Sequence, residues 1–265
     1  MGTDAAMMHA DAERSLNARV ALVTGGSRGV GRAVCEALAG HGADVAFTYR
    51  KNVAEAEQVL LAIEATGVRA LAIQASIDSA EDNERTVAGV REALGDIDIL
   101  VNNAGIVSGG KSVGDTPIPE FRRLMEVHAI GPAHLCQLVL PGMRSSPGGD
   151  IVMISSTAAV DFEALAGPYS MAKCAEEALA YTLAHEEQSS GIRVNVVAPG
   201  LIDTDMGRRL IAARPDDFTE LPSSPQHIAA VILALLNAPE LSGARVVVAE
   251  GRATIDGRAL DLLQV

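Results

Sequence analysis

Tyr169 and Lys173 stand four residues apart in a stretch of helical periodicity, a spacing that puts both side chains on one helix face. A free phenol has a pKa near ~10 and is a weak acid–base group at neutral pH. An ammonium beside it stabilises the phenolate and brings that value toward the working range. Ser156 ends an apolar, β-rich run 13 residues before Tyr169. Its hydroxyl could bond the same carbonyl oxygen that the phenol protonates. A Tyr-x-x-x-Lys pair also arises on ordinary helix surfaces, so its meaning depends on what binds beside it.

A second group of residues suggests what binds. Thr24-Gly25-Gly26-Ser27-Arg28-Gly29-Val30-Gly31 joins an apolar run to a helical pattern. In such a loop Gly25 permits a tight turn, Gly29 a close approach of backbone to a pyrophosphate, and Gly31 packing of helix on strand. The free N–H groups and the positive dipole end of the helix then face the anion. Gly triplets also make plain turns, but the strand-before, helix-after context favours dinucleotide binding. NAD readers carry an acid at the end of the second strand. Here Tyr49-Arg50-Lys51 stand there, and Arg28 lies inside the loop. Guanidinium groups grip a 2′-phosphate by charge-assisted bonds, which points to NADP. The other reading leaves Arg50 and Lys51 as solvated residues after a strand.

The elements that must position these groups alternate along the chain. Strands are expected over 20–23, 44–49, 68–73, 97–101, 151–155, 192–197 and 244–249. Helices are expected over 30–39, 53–66, 81–94, 117–143, 168–188 and 226–236. Seven strands separated by helices describe an α/β fold, a Rossmann-type doubly wound parallel sheet with helices on both faces and a single domain over 19–265. Residues 1–18 are expected to form a flexible N-terminal extension without the apolar core of a signal peptide. The stretch 203–225 has three prolines and paired acids, and falls where such folds bind ligands, so it is either a substrate lid or a surface excursion.

Composition removes other classes. The 265 residues are 48% hydrophobic, enough for a sizeable core and too many for a disordered chain. Net charge is −13 and aromatics are 3%, which disfavours nucleic acid as a partner. Cys35, Cys136 and Cys174 are scattered, and no Cys/His cluster appears, so neither disulfides nor a metal site is expected. No apolar run is long enough to span a bilayer, and a cytoplasmic location is expected.

Taken together, TGGSRGVG at 24–31, NNAG at 102–105, ISS at 154–156, YSMAK at 169–173 and VNVVAPG at 194–200, with Thr204 beyond, resemble the short-chain dehydrogenase/reductase family. The likeness spans 19 to about 251 and is greatest to 3-oxoacyl-[acyl-carrier-protein] reductase-type members. It implies Tyr169 as general acid in reduction, Lys173 as its partner and a ligand of the nicotinamide ribose, and Ser156 as orienter of the substrate carbonyl. It also implies Thr24, Asn103, Ala104 and Gly105 along the cofactor, Pro199, Gly200 and Ile202 at the nicotinamide, and Thr204 near its carboxamide. A dimer or tetramer built on the helices after the fourth and fifth strands follows by the same likeness.

Two positions depart from the family pattern. His128 stands where relatives carry an Asn that supports a proton-relay water, so it either keeps the relay, weakens it or packs. Ser76 and Ile77, with Asp78 next, stand where relatives place an acid for adenine. Ser155 and Asn195 are expected to be structural. Glu176-Glu177 and Glu186-Glu187 are expected on solvated faces or subunit contacts, and Asp216-Asp217 are read as solvent-exposed or, alternatively, as ordering the lid through pairs with Arg208, Arg209 or Arg214. The leading expectation is an NADPH-dependent ketone reductase acting on a small carbonyl substrate, a 3-oxoacyl thioester or a relative. Phe218 is the lone aromatic in the lid, which favours an aliphatic or polar substrate. The alternatives are an oxidative alcohol or sugar dehydrogenase and a nucleotide-binding regulator without turnover.

Overall fold

Every residue of β1 (Val20–Val23) is buried, as a strand covered on both faces requires. β2 (Asp44–Tyr49), β3 (Ala70–Gln74), β4 (Ile99–Asn102), β5 (Gly149–Ile154), β6 (Ile192–Pro199) and β7 (Arg245–Ala249) join it, all parallel, in the order β3-β2-β1-β4-β5-β6-β7. The computed structural model describes residues 16–212, 221–255 and 258–259. Most of the expected N-terminal extension, 1–15, lies outside the described residues, as do 213–220 of the expected lid, with Asp216, Asp217 and Phe218.

Helices cover both faces. α1 (Gly29–Gly40) and α2 (Val53–Glu64) pack Leu38, Val59 and Ile63 against Val23 and Phe47. α3 (Ala80–Ala93) packs Val90 on the opposite face with Leu22 and Leu100. Alternate residues of β1 thus serve two cores, the period-2 consequence of the pleat.

The expected helix over 117–143 is two helices, α4 (Ile118–Met125) and α5 (Gly131–Ser145), joined by a π-turn over Glu126–Ile130. Such wide turns recur at functional sites, and this one carries His128. A short α6 (Ala158–Asp161) follows β5, and the long α7 (Gly167–Glu186) packs on α4, α6 and the π-turn. α8 (Asp205–Ala212) opens the lid segment, and α9 (Pro225–Leu236) packs against α1.

The sheet exceeds the expected seven strands. β8 (Arg252–Ile255) and β9 (Arg258–Ala259) extend it antiparallel, making nine strands among the described residues. The β7–β8 hairpin turns on Glu250 and Gly251, with φ of 50° and 71°. Two consecutive positive φ values are the type I′ geometry of tight hairpins. Glu is an unusual occupant of that position, so the turn left no sequence signal. Among the described residues, no helix is long and apolar enough to cross a membrane.

Candidate active site

β1 has β2 on one side and β4 on the other, so the chain leaves it in opposite directions and a crevice opens beyond the carboxyl ends of these strands. A cleft of about 1160 Å³ occupies that place. Every expected site residue lines it except Thr24. Thr24 is buried behind the loop, where its Oγ1 accepts from the N–H groups of Asn103 and Ala104, both at 2.9 Å. The Asn103 amide donates in turn to the Thr24 carbonyl at 2.7 Å. These two side chains clamp the β1 loop to the β4 loop, and this is how they serve the cleft.

The glycines of the loop have separate reasons. Gly25 and Gly29 sit at φ 68° and 56°, conformations that L side chains rarely adopt. A Cβ on Gly31 would fall against the Gly25 carbonyl and 2.5 Å from Asn103 Nδ2. The first turn of α1 carries no acid, and its N-cap Arg28 makes no side-chain cap bond. An open helix N-terminus that faces a cleft is a site for phosphate oxygens, so these residues fit a dinucleotide.

Arg28, Arg50 and Lys51 are exposed at the same end. Arg28 Nη1 lies 3.7 Å from Asp205, whereas Arg50 and Lys51 have no carboxylate partner among the described residues. Ser76 and Ile77 line the cleft, but the Ser76 hydroxyl is paired with Asp78 and its N–H donates to Asp82 at 2.8 Å. Asp78 is thus turned to Ser76 and does not line the cleft.

At the other end, α7 presents Tyr169 and Lys173 to the cleft, and Ser156 follows β5 opposite them. The Lys173 ammonium stands 5.8 Å from the centre of the Tyr169 ring. It donates to the Ile154 carbonyl at 2.6 Å and to Glu176 Oε2 at 2.7 Å. Burial works against this ammonium, but the adjacent Glu176 carboxylate and the Tyr169 oxygen outweigh it and hold the amine above its ordinary range. The His128 ring meets Tyr169 edge-on at 5.4 Å and 87°. Its Nε2 lies 2.8 Å from the Ile106 carbonyl, and Nδ1 is buried without a partner. Burial first, then the Lys173 charge, pulls His128 down to about 3, so the ring is neutral. It makes no hydrogen bond to Lys173; it packs on Tyr169 and pins the Ile106 backbone.

Ser155 and Asn195 are structural, as expected. Asn195 donates to the Leu241 carbonyl at 2.9 Å, and Ser155 Oγ donates to Glu177 at 2.7 Å. The expectation that Glu176-Glu177 and Glu186-Glu187 lie on solvated faces or subunit contacts fails for three of the four. Glu176, Glu177 and Glu187 are buried, and only Glu186 is exposed. Each buried acid has a cationic partner, without which its desolvation would be prohibitive. Glu176 pairs with Lys173, Glu187 with Arg144, and Glu177 with Arg245 Nε at 3.0 Å. Arg245 Nη2 also donates to the Ser156 carbonyl at 3.3 Å, so β7 helps to fix the backbone that carries Ser156. The spacing of Glu176 and Glu177 from Lys173 was visible, but the distant residues that cover them were not. Arg208 pairs with Asp203 at 2.5 Å and Asp205 at 2.6 Å; Asp216 and Asp217, its alternative partners, lie outside the described residues. Among the described residues, no cluster of His, Cys and acids could hold a metal ion.

The model of the family described as short chain dehydrogenase matches residues 19–215. A bovine protein named dehydrogenase/reductase SDR family member 4 is 35% identical over 195 residues, 74% of this chain and 70% of its own. A 3-oxoacyl-[acyl-carrier-protein] reductase of Synechocystis is 33% identical over 227 residues, 85% of this chain and 92% of its own. The crystal structure of a short chain dehydrogenase from Burkholderia cenocepacia in complex with NADP superposes with a TM-score of 0.82. It is 34% identical and covers 89% of this chain and 98% of its own.

Proposed function

Because the chain belongs to the short-chain dehydrogenase family, we propose that it is an NADPH-dependent reductase of a ketone carbonyl, with 3-oxoacyl thioesters or related compounds as the substrate class. The observation that carries this reading is one cleft with two chemically distinct ends. The glycine loop and the cations Arg28, Arg50 and Lys51 line one end, and Ser156, Tyr169 and Lys173 line the other. The nicotinamide nucleotide, when bound, supplies the hydride. Arg50 and Lys51, free of carboxylates among the described residues, are the groups assigned to its 2′-phosphate; the NADP-bound Burkholderia relative supports NADP as the nucleotide. Ser156 orients the carbonyl oxygen, and Tyr169 gives that oxygen a proton. Ile106, Val107, Leu165, Met206 and Leu210 supply an aliphatic wall suited to an acyl chain. We further assign assembly to a homodimer or homotetramer, with exposed Ile118, Ile130 and Met171 on the helices after β4 and β5 at the contact.

The test is a titration with NADPH and NADH followed by a ketone panel that includes 3-oxoacyl thioesters. Tighter NADPH binding and thioester-dependent NADPH oxidation are expected. Tight binding without turnover on any ketone would replace the reading with a nucleotide-binding regulator. Preference for NAD with alcohol oxidation would replace it with an oxidative dehydrogenase.

A further inference from the structure

Glu176 is a titratable group that the proposed chemistry does not yet use. Its side chain is 3% exposed, and its Oε2 lies 2.7 Å from the Lys173 ammonium, which is 5% exposed. A solvent-shielded ion pair is seldom worth its desolvation as a source of stability; well-packed apolar side chains do as well. The pair is moreover set at the residue that stands beside the proton donor. Lys173 spends one N–H on the Ile154 carbonyl and one on Glu176, which fixes the ammonium on its inner side and leaves its outer side toward Tyr169 and the cleft.

We propose that Glu176 is the positioning residue and proton store of this site, holding Lys173 in place and replacing, through Lys173, the proton that Tyr169 gives up. The inference rests on the reductase reading. The Tyr169 O–H bond breaks as the product hydroxyl forms. The phenolate takes a proton from the Lys173 ammonium, and the resulting amine takes the carboxyl proton of Glu176. One proton from water restores Glu176, which accounts for the single proton that carbonyl reduction by a hydride consumes. In alcohol oxidation the same transfers run backward and the carboxylate accepts.

The surroundings suit a store that fills and empties near neutrality. Glu176 faces Lys173 and Glu177 on its own helix and Cys136 on α5. Tyr169 and the neutral His128 of the π-turn stand beyond Lys173, and Arg245 of β7 compensates Glu177. Burial pushes Glu176 up to about 7 against the opposing pull of Lys173, and Glu177 adds to the rise.

The test compares wild type, Glu176→Gln and Glu176→Asp. The amide keeps an acceptor for Lys173 but cannot carry the proton. Reductive kcat of the wild type should fall as pH rises through about 7, where the store empties, and the oxidative kcat should rise there. Glu176→Gln should lose about tenfold at pH ~6, lack this limb, and converge with wild type by pH ~9. Glu176→Asp should restore a limb of smaller amplitude. Unchanged NADPH affinity would show that the variants are folded.

A second readout needs no substrate or cofactor. Infrared spectra of protein labelled with ¹³C-glutamate should show a protonated carboxyl band that fades through about pH 7 and is missing in Glu176→Gln. An equal loss at all pH values, or the absence of that band, would overturn the proton-store assignment. A wild type inert toward every carbonyl would instead overturn the reductase reading, and the infrared titration would still decide whether Glu176 holds a proton.

Discussion

The two ends of the cleft handle charge in opposite ways. At the phosphate end, Arg28, Arg50 and Lys51 stand in solvent, and their one ion pair among the described residues is a loose 3.7 Å contact between Arg28 and Asp205. At the chemical end, Lys173, Glu176 and Glu177 are withdrawn from water, Arg245 is half-buried, and the four are matched pair by pair at 2.7 and 3.0 Å. Exposed charges suit a ligand that brings its own counter-charge, since little must be desolvated before it arrives. Buried pairs keep a proton donor and its partner in place before any ligand binds, and their fields are weakly screened. Binding should therefore respond to salt, and chemistry to pH.

The largest effect expected is from Tyr169→Phe. It should lower turnover by roughly 10²–10⁴-fold with NADPH affinity unchanged, measured by NADPH oxidation and fluorescence titration. Near-normal turnover would remove the chemical end from the comparison. Next comes Arg245→Met, which leaves Glu177 buried without its cation. A loss of about 3 kcal/mol in urea unfolding is expected, with partial recovery when Glu177→Met is added. Additive losses in the double variant would mean that the pair is not a unit.

At the exposed end, Arg50→Ala should weaken NADPH about tenfold and NADH little, with the difference shrinking at high salt. Equal losses for both nucleotides would refute the assignment to the 2′-phosphate. His128 gives a smaller, pH-dependent effect. The folded ring stays neutral to about pH 3, while an unfolded one takes a proton near 6.5, so the unfolded state binds more protons in that window. Stability from this residue is complete above 6.5 and is lost as pH falls toward 3. Glu176 acts in the other direction: its contribution is complete below 4.5 and fades as pH rises through about 7. His128→Asn should thus shift the acid unfolding midpoint downward, followed by circular dichroism. The smallest effect belongs to Arg208→Ala, whose pairs with Asp203 and Asp205 are exposed; its Tm should be unchanged within error.

Much of this was legible because motif chemistry is local. The glycines between β1 and α1 and the Tyr169–Lys173 pair are set by neighbours a few residues away. Strand limits were less legible. β5 starts at Gly149, paired with Ile192, although Gly149 and Asp150 carry no apolar signal. The β7–β8 hairpin escaped because Glu250 takes a positive φ that its residue type does not announce.

Acids on α7 escaped for a different reason. Spacing puts Glu176 and Glu177 within reach of Lys173, but the same pattern describes a solvated helix face. What distinguishes the two is the cover supplied by α5 and β7, whose residues lie far off in the chain. The sequence by itself determined the parallel sheet, the anion-binding turn and the acid–base pair, since each depends on residue type and short spacing. Only the tertiary structure decided that His128 is neutral and that Glu176 is buried against Lys173. Burial is a property of what packs on a residue, and desolvation, not residue type, decides how a buried group holds its proton.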